Sequence, residues 1–387
     1  MKHDWEYKKL GEVCESDLGK TLNQSKDTGK MQSYLCSINI QWDAIDLSTI
    51  KQARFEISEF DRYSVKSGDL LICEGGDTGR AAIWEGEPML YQNALHRVRF
   101  NDNVNARFAL LYLRYLKNYG DIDSKYSKGV TIKHLVKSSL NSIPLPVPPL
   151  PTQQSIVSEL DSLSKIIADC KETLKDYDAL EQSIFYDMFG NPVKNEKGWE
   201  VKKLSEVTKS TGGGTPSKDV KEYWDGDIVW VSSKDMKTTY ISESQLHITK
   251  KGVENSSAKM LPIGTILIVN RSGILKHTLP IAITTKELTV NQDIKALIVN
   301  DSNIDNIYLL YCLKMFSPYL LSMIKAVTVD SIDFNIIKNL NVPLPPLPLQ
   351  QQFASKIEAI EQMKVETKKA LQEAETLFQA RMDYWFN

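Results

Sequence analysis

A chain of 387 residues is longer than one ordinary domain of about 100–200 residues and has the length for two or three, each able to bury a core. With 42% hydrophobic and 25% charged residues, and no apolar run near the ~18–20 residues needed to span a bilayer, the composition excludes a membrane-spanning chain and a disordered one. A formal net charge of −2 excludes a histone-like polyelectrolyte, because non-specific DNA affinity is built from many Lys and Arg contacts to phosphate; local basic surfaces, and a partner that supplies more positive charge, remain open.

The opening residues Met1-Lys2-His3-Asp4-Trp5 carry no apolar stretch of the secretory type, so a cytoplasmic location is expected. Cys14, Cys36, Cys73, Cys170 and Cys312 are odd in number and scattered, without a CxxC pair; they predict buried thiols, not a disulfide framework or a zinc site. The phrase Trp5-Glu6-Tyr7-Lys8-Lys9-Leu10-Gly11-Glu12-Val13 introduces a segment of short β-rich runs such as Asp69 to Cys73, punctuated by Gly and Asp turns. A helical patch covers Asn105 to Lys117. The prolines of Pro144-Leu145-Pro146-Val147-Pro148-Pro149-Leu150-Pro151 fix φ and remove donors, which predicts that regular structure stops there in favour of a stiff, extended connection. Beyond it Ile156, Leu160, Leu163, Ile167, Cys170, Leu174, Tyr177, Ile184 and Met188 follow alternating steps of four and three, with Glu181 at the one missing position. That is a heptad stripe on a long helix.

The same order then returns. Trp199-Glu200-Val201-Lys202-Lys203-Leu204 repeats the opening phrase at an offset of 194, and Ile263-Gly264-Thr265-Ile266-Leu267-Ile268 repeats Ser67 to Ile72 at 196. Ala326-Val327-Thr328 answers Gly129-Val130-Thr131, and Pro345-Pro346-Leu347-Pro348-Leu349-Gln350-Gln351 answers Pro148 to Gln154, both at 197. A period this long is a duplicated domain and linker, not a solenoid of short units. A second helical patch spans Asp305 to Met315, and a second stripe contains Phe353, Ile357, Ile360, Leu371, Ala374, Phe378 and Trp385, interrupted by Lys364 and Thr367. Since each stripe needs a partner, pairing the two helices antiparallel within the chain is the economical solution; a helix of ~38 residues spans ~57 Å. The expected fold class is α+β: two similar mixed α/β domains separated by two long helices in an antiparallel coiled coil, with a pseudo-twofold internal repeat. The expected divisions are a first domain at 1–150, the first helix and connector at 151–194, a second domain at 195–348 and the second helix at 349–387.

Chemistry-bearing motifs are missing. Thr211-Gly212-Gly213-Gly214-Thr215-Pro216 fails as a phosphate loop because Pro216 stands where a helix should continue, and its glycines suggest a flexible loop. There is no GxGxxG, HExxH or GxSxG, and His3, His96, His134, His247 and His277 are isolated from one another, so neither a metal site nor a triad is expected. Asn191-Pro192-Val193 lacks the second proline and the aromatic residue of an adenine methyltransferase motif. The chain is expected not to be an enzyme on its own.

Over essentially its whole length the sequence resembles the specificity subunits of type I restriction-modification systems. The resemblance rests on the tandem Pro-Leu-Pro…Gln-Gln phrases at 144–154 and 343–351, the Trp-Glu-x-Lys-Lys-Leu phrases at 5 and 199, and several internal phrases. These are Gly213-Gly214-Thr215-Pro216-Ser217, Asp227-Ile228-Val229-Trp230-Val231, Asn291-Gln292, Cys73 to Arg80, and Tyr91 to Arg97. It implies two target-recognition domains that read different halves of an asymmetric bipartite site in double-stranded DNA. It further implies helices that set the spacing and dock two methyltransferase subunits, and a motor-nuclease subunit that joins for restriction. No cofactor is expected on this chain; S-adenosylmethionine is expected on the methyltransferase partner, which methylates adenine N6 on a base taken out of the stack.

Base edges are read by forked donors and acceptors and phosphates by Lys, Arg, Ser, Thr or backbone amides, so loop residues are the candidates. In the first domain these are Lys20, Asn23, Lys26, Arg80, Asn93, Lys128, Thr131, Lys133 and His134. In the second they are Thr215, Ser217, Lys218, Lys234, Arg271, Lys276, Gln292, Thr328 and Ser331. Gln92-Asn93 and Asn291-Gln292 serve equally well as amides that cap strands or turns. The candidate coiled-coil seam is Ile156, Leu160, Leu163, Ile167 and Leu174 with Phe353, Ile357, Ile360, Leu371 and Phe378. Competing readings are a subunit of another phage-defence methylation system, a protein-protein scaffold with duplicated heads, and an enzyme using scattered carboxylates.

Overall fold

The structure is a computed structural model and describes residues 4–131, 133–324 and 330–387. It divides into two compact units: Met1–Lys171 with Lys369–Asn387, and Glu172–Lys368. The division falls inside the long helices and not at their starts, so each unit is one head plus a segment of both helices.

In unit 1, one four-stranded antiparallel sheet has the order Cys14–Leu18, Leu95–Phe100, Leu70–Cys73, Ala81–Ile83. A second has the order Lys51–Phe55, Lys30–Leu35, Met89–Tyr91, Ser64–Val65, with a parallel pair in its middle. The continuous apolar run Leu70-Leu71-Ile72-Cys73 is explained by burial on both faces. Leu70 and Ile72 enter the core beneath the helix Ala106–Asn118, and Leu71 and Cys73 enter the cluster shared with Leu35, Val65 and Tyr91. Asn105, expected inside that helix, is its cap: its side chain accepts from the amides of Arg107 and Phe108.

Unit 2 repeats this plan. Thr208–Gly212, Ile294–Val299, Ile266–Val269 and Ile281–Thr284 are joined antiparallel in that order, with Tyr240–Ile241 added parallel at the edge. Trp224–Val231 lies between Leu246–Ile248 and Thr289–Val290. Asp305 caps Asn306–Met315 as Asn105 caps its counterpart. All five cysteines are free thiols, with Cys36, Cys73 and Cys312 buried.

The proline clusters do not stop regular structure as expected. Pro144–Pro146 pairs antiparallel with Tyr7–Lys9, and Asn341–Pro343 with Val201–Lys203. Proline is tolerated in such a two-stranded ladder because donors are needed at few positions, and flanking amides supply them: Leu10 to Ile143 O and Val147 to Glu6 O, with Leu204 to Leu340 O and Leu344 to Glu200 O in unit 2. The two most repetitive phrases of the sequence are therefore partners of each other. Prolines also start the long helices, Leu150–Phe189 and Leu347–Phe386, 40 residues each, where Pro151 and Pro348 occupy first-turn positions whose amides have no helical acceptor.

Those starts are clamped in the same way. Gln153 accepts from the Asn105 amide at 2.8 Å and donates to Asn103 O and Pro148 O at 2.9 and 2.8 Å. Gln350 accepts from the Asp305 amide at 2.9 Å and donates to Asn303 O and Pro345 O at 2.9 and 2.8 Å. Both side chains are fully buried. Each glutamine thus satisfies one donor and two acceptors where the helix start meets the cap of the domain helix.

The helices pair antiparallel. In unit 1 the beginning of the first meets the end of the second, where Glu159 pairs with Arg381 and accepts from Trp385 Nε1, and Lys171 pairs with Glu375 at 2.8 Å. In unit 2 the end of the first meets the beginning of the second, where Phe185 and Phe189 pack edge-on against Phe353. Ile156, Leu160, Phe353, Ile357, Ile360 and Phe378 are buried. Leu163, Ile167, Leu174 and Leu371 are half-buried, being farther from the domain cores that cover the seam's ends.

Candidate nucleic-acid interface

In unit 1 the central strand Leu70–Cys73 runs out into the loop Glu74–Arg80, and the chain returns beside it before the helix Lys137–Asn141. Gly75 bridges to His134, and His134 also bridges to Lys128. The Leu135 amide donates to Glu74 O at 2.7 Å, Thr78 Oγ1 to Lys133 O at 3.0 Å, and His134 Nδ1 lies 2.9 Å from Glu74 Oε2. A Cβ on Gly75 would lie 3.1 Å from His134 Nδ1, so this close approach favours glycine. This junction is held from below by His96, whose Nε2 lies 2.6 Å from Leu135 O. Burial pushes the imidazole of His96 below its usual pKa range, so the neutral ring donates to that carbonyl. Lys128, Val130 and Thr131 are exposed, Val130 at 99%.

Unit 2 builds the same junction with different side chains. Arg271 bridges to Ser331, at positions equivalent to Gly75 and His134. The Ser272 amide donates to Asp330 O at 3.0 Å, the Ile332 amide to Asn270 O at 2.9 Å, and the Asn270 amide to Asp293 O at 3.0 Å. Ser272 Oγ reaches Ser233 Oγ at 3.5 Å, bringing in the turn that carries Lys234. Lys234, Arg271 and Lys276 are all exposed.

Several expected contact residues are engaged within their own unit. Lys20 is buried, its Nζ 2.7 Å from Glu59 Oε2 and 3.4 Å from Asp27 Oδ1; burial opposes its charge, but the two carboxylates outweigh it and raise the pKa. Its ammonium is enclosed by the head, which corrects the expectation that it faces DNA. Lys133 Nζ donates to Asp123 O at 2.6 Å, and Arg80 donates to Ser37 O at 2.9 Å and lies 3.6 Å from Asp77, so both cations point inward. Asn23 forms a turn, accepting from the Ser25 amide and hydroxyl. Lys26 is exposed and Asn93 half-buried, with the Asn93 amide on Lys20 O. Thr328 lies outside the described residues.

The glycines at 212–214 are not a flexible loop. Gly212 ends a strand paired with Lys295, a Cβ on Gly213 would lie 2.1 Å from Val290 O, and Gly214 is buried, with Trp230 Nε1 donating to its carbonyl. This packed run aims the next residues outward: Thr215 donates to Gln292 Oε1, while Ser217 and Lys218 are exposed. Asn291 resolves as the turn former, accepting from the Asp293 amide, which leaves Gln292 on the surface. Sequence reasoning missed Gln153 and Gln350 as anchors, although their shared place in the repeat was a usable signal.

Two heads of one plan, each projecting Lys, Arg, Ser, Thr or His side chains from loops fixed to a mixed sheet, with antiparallel long helices, define a duplicated-head architecture. The chain belongs to the type I restriction modification DNA specificity domain family, whose profile matches residues 2–176 and 196–375. It is 31% identical over 256 residues to the type I restriction enzyme EcoR124I/EcoR124II specificity subunit of Escherichia coli, a match covering 63% of this chain and 61% of that one. To the MjaIX specificity subunit of Methanocaldococcus jannaschii it is 33% identical over 180 residues, 46% of this chain and 40% of that one. These two matches therefore span under two thirds of the relatives' lengths. The putative MjaX specificity subunit of the same archaeon matches over 94% of this chain and 88% of its own, at 21% identity.

Among solved structures, a chain from a study of type I R-M complex assembly and conformational transition matches with a TM-score of 0.61 at 20% identity, covering 99% of this chain and 97% of that one. The type I restriction-modification S subunit from M. genitalium matches at 0.59 and 12%, covering 98% and 95%. Both show the same fold. Among the described residues no helix is long and apolar enough to cross a membrane, and no group of His, Cys, Asp or Glu side chains is placed to hold a metal ion.

Proposed function

We propose that this chain is a non-catalytic DNA-reading subunit in which each head recognises one half of an asymmetric bipartite site. The observation that carries the reading is the equivalent junction in the two heads: Gly75 with His134 and Arg271 with Ser331 occupy the same repeat positions with different chemistry. A shared scaffold with unlike reading groups suits two unlike half-sites. In unit 1 the contacts come from Lys26, Lys128, Thr131 and His134; in unit 2 from Ser217, Lys218, Lys234, Arg271, Lys276 and Gln292. The long helices set the spacing of the half-sites and dock two methyltransferase subunits, which bring S-adenosylmethionine and methylate adenine N6. A motor-nuclease subunit completes the restriction assembly, and the system works in the cytoplasm. The modest charge of the chain fits a reader whose phosphate affinity is completed by its partners.

Sequencing that detects N6-methyladenine in single DNA molecules tests this in cells carrying this gene, a neighbouring methyltransferase gene, or both. A split motif present only with both, and altered in one half when one head is exchanged, is the expected result. An expressed pair that leaves no new motif refutes the reading.

A further inference from the structure

The stripe of each long helix is broken by one charged residue, Glu181 in the first and Lys364 in the second, and the two meet. Lys364 and Glu181 are 5% and 4% exposed, with Nζ 2.6 Å from Glu181 Oε1; Asp178 at 2.8 Å and Glu361 at 3.2 Å complete the cation's partners. A buried ion pair adds little stability over apolar residues of the same volume, because desolvating two charges offsets most of their attraction. Removing one partner strands the other at high cost. In paired helices such groups act mainly by selecting one pairing among several.

The internal repeat identifies the competing pairings. At the offset of 197 that aligns Pro148-Pro149-Leu150-Pro151 with Pro345-Pro346-Leu347-Pro348, Lys364 corresponds to Ile167 and Glu181 to Phe378. Ile167 and Phe378 both belong to the apolar core of unit 1. One seam position thus holds an ion pair in unit 2 and an aliphatic and an aromatic residue in unit 1. Because the helices follow similar heads and carry similar stripes, each is also a plausible partner for its own counterpart in a second copy of the chain. In the observed register, pairing two first helices would set each Glu181 against Ile167 of the other copy. Pairing two second helices would set each Lys364 against Phe378 of the other copy. First-with-first pairing buries each Glu181 without its cation, and second-with-second pairing leaves each Lys364 only Glu361 of its own helix in place of Glu181 and Asp178, whereas first-with-second pairing supplies all of these partners.

We propose that Glu181 and Lys364 commit the first long helix to the second and exclude like-with-like helix pairing between two copies of this chain. The test uses the full chain in two tagged versions, unfolded, mixed and refolded together, with the fraction recovered in mixed-tag complexes measured by tandem capture and light scattering. The variant E181F/K364I repeats in unit 2 the residues found at the unit 1 position and makes every pairing apolar; its mixed fraction is expected to rise severalfold over the wild-type chain. Lys364→Arg keeps the cation and is expected to match wild type. An unchanged fraction in E181F/K364I, or an equal rise in Lys364→Arg, overturns the proposal. If E181F/K364I does not regain its helical circular dichroism, Glu181→Phe alone decides, since it removes the charge from first-with-first pairing and takes from Lys364 its buried partner in the native one, leaving Asp178 and Glu361. A raised mixed fraction then supports the proposal, and an unchanged one overturns it.

Discussion

Replacing Gln350 by leucine keeps most of the side chain's bulk and removes its three hydrogen bonds. The Asp305 amide, Asn303 O and Pro345 O, at 2.8–2.9 Å in the native chain, would be left facing an apolar group in a site where Gln350 is fully buried. An unsatisfied buried polar group costs about 1–3 kcal/mol. The three share one site and are not additive, and the Asp305 amide is only partly enclosed, so about 3–5 kcal/mol is expected. For a unit of this size each kcal/mol lowers the melting temperature by about 2–4 °C, which places the loss at about 6–20 °C. Scanning calorimetry of the full chain reads it directly, with Gln351→Leu as the control, because that side chain is exposed and its change is expected within about 0.5 kcal/mol. Gln153→Leu should produce a similar loss in unit 1, where the same three kinds of group are bonded. A melting temperature for Gln350→Leu within about 2 °C of wild type would refute the claim that this glutamine clamps the helix to the head.

Three further outcomes are expected. His96 is a base whose folded pKa is depressed by burial, so its contribution to stability is complete above its unfolded value of about 6.5 and is lost as pH falls below it; His96→Gln should flatten the decline in urea midpoint between neutral and mildly acidic pH, and an unchanged slope would refute this. Gly213→Ala places a Cβ against Val290 O and should destabilise unit 2 by about 1–3 kcal/mol or more in chemical denaturation, with no loss arguing against the packed-glycine reading. In the assembled complex, Lys128→Ala should weaken binding uniformly across sequences and reduce the salt slope by about 1, whereas Arg271→Ala should cost about 1–3 kcal/mol and relax one base position; titrations over salt and over a set of mutated sites separate the two.

The candidate interface was legible as loops but not as orientations. Composition placed Lys20, Lys128 and Lys133 alike in polar turns, yet Lys20 is enclosed by Glu59 and Asp27, Lys133 bends back to Asp123 O, and Lys128 stays exposed. Local pattern gives no sign of this, because Lys20 and Glu59 meet only when the chain folds. The same limit applied to Gly212-Gly213-Gly214, where absent side chains suggested freedom and instead permit close packing against Val290 and Ala258.

The sequence by itself determined the duplication, the two long helices, the domain helices and the family, since each is written in local periodicity or in a phrase repeated along the chain. Tertiary structure alone decided that the opening phrase pairs with the proline cluster, that Gln153 and Gln350 fasten the helix starts, and that the seam defects Glu181 and Lys364 meet. The physical reason is common to all three. A hydrogen bond or ion pair is fixed by proximity in space, and these partners lie 45 to 183 residues apart in sequence, where no helical or strand period connects them.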